Sequence, residues 1–182
     1  MTNYGMAYFL EDKSGMLTGS EFVDLNDRIR LSYICTARDT NQTVYMIYDA
    51  TTVDSSSRPL LALTFGPNNA LGTVHISPDD SMPMRQYLKK ASTLGSTKHR
   101  KFVASDGHEY RWNWRVEGDQ EWTCTNTLGY IVAYYNLKTP GEPEYADSSG
   151  CMLTVEQPYH ELIPGESSVE LRYKTAYVDV LT

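Results

Sequence analysis

The chain has little cysteine, no long apolar run and too few bases to balance its acids. Cys35, Cys124 and Cys151 are its only cysteines, and no two of them form a C-x-x-C pair. An odd, unpaired set reads as reduced thiols in a cytosolic protein and argues against a disulfide framework. The apolar stretches fall far short of the roughly 20 residues that a membrane-spanning helix needs, so no transmembrane segment is expected. Met1 to Met16 has neither a basic start nor a long apolar centre, which argues against a signal peptide. Without a secretory signal the Asn41-Gln42-Thr43 triplet carries no weight as a glycosylation site. A net charge of −7 argues against a general affinity for nucleic acid.

Catalytic motifs are equally sparse. There is no G-x-S-x-G elbow, and Gly150-Cys151 lacks a cysteine-protease context. Walker A and G-x-G-x-x-G loops are absent, which speaks against nucleotide-dependent chemistry. His75, His99, His108 and His160 are scattered without H-x-H or H-E-x-x-H spacing, so no metal site and no cofactor are expected.

What is abundant is tyrosine, 14 residues against 4 phenylalanines. Tyrosine suits half-buried strands, where the ring packs and the hydroxyl stays wet. A chain of 182 residues fits one domain whose core buries about 70% of the unfolded surface. Residues 1 to 27 are weakly patterned. From there the period is two. Ile29, Leu31 and Tyr33 share a face, as do Val44, Met46 and Tyr48. Thr51 to Pro59 is a Ser-rich break with a proline, a candidate boundary or long loop between the N-terminal strands (1–57) and the rest (58–182) of one domain. Leu61, Leu63 and Phe65 form a strand, turned by Gly66-Pro67-Asn68-Asn69, and Leu71 to Ile76 returns. After Asp80 the chain fits either a short helix or an irregular strand, and Pro83 permits only an edge position.

Phe102 to Ala104 and Tyr110 to Val116 read as a hairpin, with Asp106-Gly107 as a type I′ turn. Trp122 to Thr125, Tyr130 to Leu137 and Met152 to Glu156 supply further strands. Many short strands at such spacing indicate a β-sandwich or barrel. The end of the chain is a fork. Val169, Leu171, Tyr173 and Tyr177 fit a strand. Val169, Tyr173, Ala176, Tyr177 and Val180 fit a helical stripe behind the capping box Ser167-x-x-Glu170.

Four stretches together carry a likeness: LLALTFGPNNALGTVHI (60–76), EYRWNWR (109–115), LGYIVAYYNL (128–137) and CMLTVEQPYHELIPGE (151–166). In this order they resemble a domain family of mushroom-forming fungi related to the tubby C-terminal-like superfamily. The resemblance covers roughly Arg58 to Thr182. It implies a closed, mostly antiparallel β-barrel around a hydrophobic C-terminal helix, which tips the fork above towards helix. Relatives of that fold include phosphoinositide-binding tubby domains and scramblase-like proteins. No residue here matches a known lipid ligand of theirs.

Candidate functional residues come from charge and aromatic placement. Between Arg85 and Arg115 stand eight Lys or Arg against two acids, Asp106 and Glu109. From Val116 onward there are eleven acids and three bases. Lys98, Arg100, Lys101, Arg111 and Arg115 are the candidates for an anionic ligand, such as a lipid headgroup. The plainer reading makes the basic segment solvated surface neutralised by the acidic last third. Alternation puts Tyr110, Trp112, Trp114 and Val116 on one face of a strand, as core or as a stacking platform. His75 and His160 are the weak candidates for acid/base work. Glu161 beside His160 would point the other way on an extended segment. The expectation is a binding module for an anionic or amphipathic ligand, or for a protein partner. The alternatives are a small barrel enzyme and a self-associating structural protein. The oligomeric state is not legible.

Overall fold

The structure is a computed structural model, and it describes residues 5–51, 58–77, 80–92, 98–104, 106–116, 120–138 and 146–163. The chain is mainly β. Among the described residues it forms thirteen strands: β1 (Tyr8–Asp12), β2 (Gly19–Asp24), β3 (Arg30–Arg38), β4 (Thr43–Asp49), β5 (Leu61–Phe65), β6 (Leu71–Ser77), β7 (Asp80–Pro83), β8 (Lys89–Lys90), β9 (Arg100–Val103), β10 (Glu109–Trp114), β11 (Trp122–Asn126), β12 (Ile131–Asn136) and β13 (Cys151–Val155). All are antiparallel to their neighbours, in one sheet of order β7-β6-β5-β4-β3-β2-β1-β13-β12-β11-β10-β9-β8.

Two meanders therefore meet where β1 pairs β13, from Tyr8↔Val155 to Asp12↔Cys151. The weakly patterned start of the chain thus contributes two central strands. Their sequence hides this because the inner face of β1 and β2 is partly polar. Asp12, Ser20 and Asp24 are buried there beside Leu10 and Phe22. The Ser-rich break does not divide the sheet, since β4 and β5 pair across it from Thr43↔Phe65 to Ile47↔Leu61.

The hydrogen-bonded order is open, with β7 and β8 as its edges. A flat sheet of this strand number would be about 58 Å wide. Yet only α1 (Met84–Tyr87) and Leu88 separate β7 from β8, a stretch that reaches at most about 20 Å. The sheet must therefore curl until its edges face each other across a seam. Asp80 onward proves to be both of the alternatives, an edge strand ending at Pro83 and then one helical turn.

One face of the curled sheet holds the core. Leu31, Tyr33, Tyr45, Ile47, Leu61, Leu63, Phe65 and Val74 supply it from one meander. Phe102, Tyr110, Trp112, Trp122, Cys124, Ala133, Leu153 and Val155 supply it from the other, with Met84 and Leu88 at the seam. On β4 the buried face is Thr43, Tyr45 and Ile47. Val44, Met46 and Tyr48 share the opposite, half-exposed face. Of the aromatic-strand set, Tyr110 and Trp112 are buried, Trp114 is half-buried and Val116 is 58% exposed.

The β9–β10 turn differs from the type I′ expectation. Ala104 N–H donates to His108 O at 2.9 Å, and Gly107 N–H to Ala104 O at 2.9 Å. Three residues thus lie between the closing pair. A type I′ turn at Asp106-Gly107 would leave two residues between its closing pair, and Gly107 (φ +79°) supplies a left-handed step here. The C-terminal fork over Ser167 to Thr182 lies outside the described residues.

Candidate functional site

The register of four ladders aligns one row across the outer face. Lys89 pairs with Lys101, Lys101 with Arg111, Arg111 with Thr125, and Thr125 with Ile131. Strand alternation produces the row. On β9 Arg100 and Phe102 turn inward, leaving Lys101 and Val103 outside. On β10 Tyr110 and Trp112 turn inward, leaving Glu109 and Arg111 outside. Like charges directly opposite each other destabilise a sheet, and here three cations stand in line.

One carboxylate serves two of them. Lys101 Nζ lies 2.9 Å from Glu109 Oε2, and Arg111 Nη2 lies 3.0 Å from Oε1. Hydrogen bonds from Lys101 and then Arg111 hold the Glu109 carboxyl below its ordinary value, against a smaller opposing effect of burial. Lys89 takes no share of this carboxylate. The row keeps an excess of positive charge on a protein of net charge −7.

Beside the row, at the seam, opens a cavity of about 270 Å³ lined by Met82, Gln86, Tyr87, Lys89, Lys101, Phe102, Val103 and Glu109. It has an apolar floor and a charged rim. The floor is stiffened by ring contacts. Tyr87 stacks on Phe102 at 6.3 Å and Phe102 on Tyr110 at 5.7 Å, and Tyr110 meets Tyr159 edge-on at 6.2 Å. The Tyr110 hydroxyl donates to Asp106 Oδ2 at 2.6 Å. Burial, then this carboxylate, pushes its pKa far up, so Tyr110 is a fixed donor and not a proton-transfer group.

The structure brings together some of the sequence-derived candidates and separates others. Lys101 and Arg111 meet in the row. Lys98 and Arg115 meet elsewhere, around Trp114. Lys98 Nζ sits 3.2 Å and Arg115 Cζ 4.8 Å from the ring centroid. Trp114 Nε1 and Arg115 Nε both donate to Glu121, at 2.6 and 2.9 Å. With two cations against its ring, Trp114 is not an open stacking platform. Arg100 is on the inner face, 8% exposed, with Nη1 donating to the Leu88 carbonyl at 3.5 Å. It helps hold the seam and offers no surface charge. His75 is on β6 and exposed. His160 is in the 3-10 helix Gln157–Leu162 with Nδ1 3.2 Å from Gln157 O. No contact joins the two histidines.

Sequence reasoning missed Lys89 as a partner of the row, Glu109 as its counter-charge, and Met82, Tyr87, Phe102 and Val103 as the cavity floor. A hairpin register centred on Asp106 would have placed Lys101 opposite Arg111 and Val103 opposite Glu109. The cavity floor had no sequence signal, because it is assembled from both sheet edges. Among the described residues no three His, Cys, Asp or Glu side chains gather as a metal-binding set. No helix among them is long and apolar enough to cross a membrane.

Comparison of the chain with protein-family models, curated proteins and solved structures yields no match.

Proposed function

We propose that the protein is a non-catalytic binding module whose seam cavity takes an anionic, partly apolar ligand, such as a lipid headgroup with its proximal chain or an acidic group of a protein partner. Lys89, Lys101 and Arg111 receive the anionic part. Met82, Tyr87, Phe102 and Val103 receive the apolar part. The observation that carries this reading is the row of three aligned cations, only two of which share a carboxylate, beside an apolar-floored cavity. A cross-strand row of like charge costs stability, and an anion on it would offset that cost.

The same proposal includes a tubby-like architecture, in which the curled sheet is a closed barrel and residues 167–182 form its central helix. The short tie across the seam and the single apolar face support it. It also includes a cytosolic location, for which the free state of Cys35, Cys124 and Cys151 speaks.

Titration with a soluble short-chain phosphatidylserine, followed by amide chemical shifts at low ionic strength, tests the function. Shifts at Lys89, Lys101, Val103 and Arg111 are expected, weakening as salt shortens the screening length below about 8 Å. Absence of binding, or binding equal in the Lys101→Glu/Arg111→Glu variant, overturns the proposal.

A further inference from the structure

Past Arg111 the cross-strand row continues through Thr125 to Ile131, and Ile131 leads out of an apolar turn. The β11–β12 connection, Thr127-Leu128-Gly129-Tyr130, carries no charge. Leu128 is 78% exposed, Tyr130 66% and Ile131 37%. Such residues at a loop tip normally tuck inward or give way to polar ones. Here they are held outward by a rigid frame centred on Asn126. The Asn126 N–H donates to Tyr130 O at 3.0 Å, and Gly129 N–H donates to Asn126 O at 3.0 Å. The Asn126 side-chain oxygen accepts from the N–H groups of Leu128 and Tyr130, each at 3.0 Å. Its Nδ2 donates to the Tyr159 hydroxyl at 3.2 Å, tying the turn to the 3-10 helix. Gly129 (φ +83°) supplies the left-handed step that the turn requires. An apolar tip ordered this way meets a partner without a further ordering cost.

Its surroundings identify the partner. Leu128 and Tyr130 stand out from a four-residue turn, so the tip suits a medium that needs no matching pocket. Along the same outer face run Ile131, Arg111, Lys101 and Lys89, with Val103 56% exposed beside them. The acid within the row, Glu109, is shared by two cations. The acid of the adjacent turn, Asp106, accepts from Tyr110 and from the His108 N–H at 2.8 Å. An apolar tip, a tyrosine next to it and a flanking line of cations match the layering of an anionic bilayer surface: acyl chains, headgroup level, phosphates. A protein interface would ask for a larger contact around the tip, on the order of 800 Å² per partner.

Resting on the binding reading above, we propose that the β11–β12 turn inserts into the surface of an anionic membrane, with Leu128 and Tyr130 in the interfacial layer and Arg111, Lys101 and Lys89 on the lipid phosphates. Co-sedimentation with phosphatidylcholine vesicles, with and without phosphatidylserine, tests it for the wild type, Leu128→Asp and Lys101→Glu/Arg111→Glu. The wild type is expected to pellet with the anionic vesicles only. Leu128→Asp should lose at least about tenfold in vesicle affinity, the worth of one buried leucine, while binding soluble short-chain phosphatidylserine as the wild type does. The frame is backbone and Asn126, so this variant should keep its circular dichroism and melting temperature. As a second readout, Tyr130→Trp should be quenched by brominated lipid in anionic vesicles. Full vesicle binding by Leu128→Asp, or no quenching of Tyr130→Trp, overturns the insertion and leaves the cavity reading intact. A wild type that binds soluble phosphatidylserine but not vesicles overturns it too, and favours a protein partner. Failure to bind either probe overturns both readings.

Discussion

Arg28 clasps Asp24 with two parallel hydrogen bonds, Nε to Oδ2 at 2.7 Å and Nη2 to Oδ1 at 2.9 Å. The Asp24 side chain is fully buried. The carboxylate also accepts the Phe9 N–H at 3.0 Å, and the guanidinium donates to the Met6 and Ala7 carbonyls. One ion pair thus ties the first strand to the β2–β3 turn, in the middle of the sheet. Burial works to raise the Asp24 carboxyl, but the hydrogen bonds from Arg28 and Phe9 outweigh it and hold the pKa below the ordinary value. A depressed folded-state pKa contributes stability above the unfolded value of about 4, and that contribution fades as pH falls through the folded value. Arg28→Met should cost about 2–3 kcal/mol at neutral pH, somewhat less than for a fully buried pair. The difference from wild type should shrink in denaturant melts below about pH 4.

The tryptophans of β10 should separate by their environments. Trp112 has no exposed surface, so Trp112→Ala should cost about 3–5 kcal/mol. Trp114 is half-buried between Lys98 and Arg115, and Trp114→Ala should cost about half as much or less. Urea melts of the two variants give the comparison. Equal losses would contradict the half-buried placement of Trp114.

Glu109 restrains the row that it neutralises. Glu109→Gln should raise affinity for soluble short-chain phosphatidylserine several-fold and steepen its salt dependence, because three cations then face solvent with no fixed counter-charge. Stability should fall by less than about 1 kcal/mol, as for other partly exposed pairs. Titrations at low and high salt, with a urea melt alongside, check both parts.

Two glycines should respond unequally to alanine. A Cβ on Gly72 would lie 2.1 Å from the Thr64 carbonyl oxygen, beside the bulge between Thr64 and Phe65. Backbone cannot yield to it, so Gly72→Ala should cost at least about 2–3 kcal/mol. Gly107 has open space around its Cβ position, and its alanine variant should lose only the roughly 1–2 kcal/mol of the left-handed conformation. Thermal melts rank the pair.

Much of the sheet was legible because strand alternation is local. Leu61–Phe65 was bounded by its own pattern, and Pro83 at an edge follows from its missing N–H. Other features were opaque for physical reasons. β1 and β2 were overlooked because Asp12, Ser20 and Asp24 occupy inner-face positions, and a polar residue is tolerable there only with partners that sequence does not display. For Asp12 these are the Ser20 hydroxyl and the Gly15 N–H at 2.9 Å. Arg100 likewise looked like surface charge, and only the inward parity of β9 shows otherwise.

The basic cluster shows where the division falls. Composition and order along the chain alone determined that eight bases crowd between Arg85 and Arg115, and that Arg111 lies between aromatic residues at strand spacing. Which of them stand together was decided by register. A two-residue turn at Asp106-Gly107 would set Lys101 against Trp112. The three-residue connection sets it against Arg111, and Val103 against Glu109. A shift of one residue moves every side chain to the other face of a strand. The pairing that builds the row therefore comes from backbone geometry at one turn and from the packing of Tyr110 and Trp112 beneath it. The cavity comes from a curl that brings together strands far apart in the sheet.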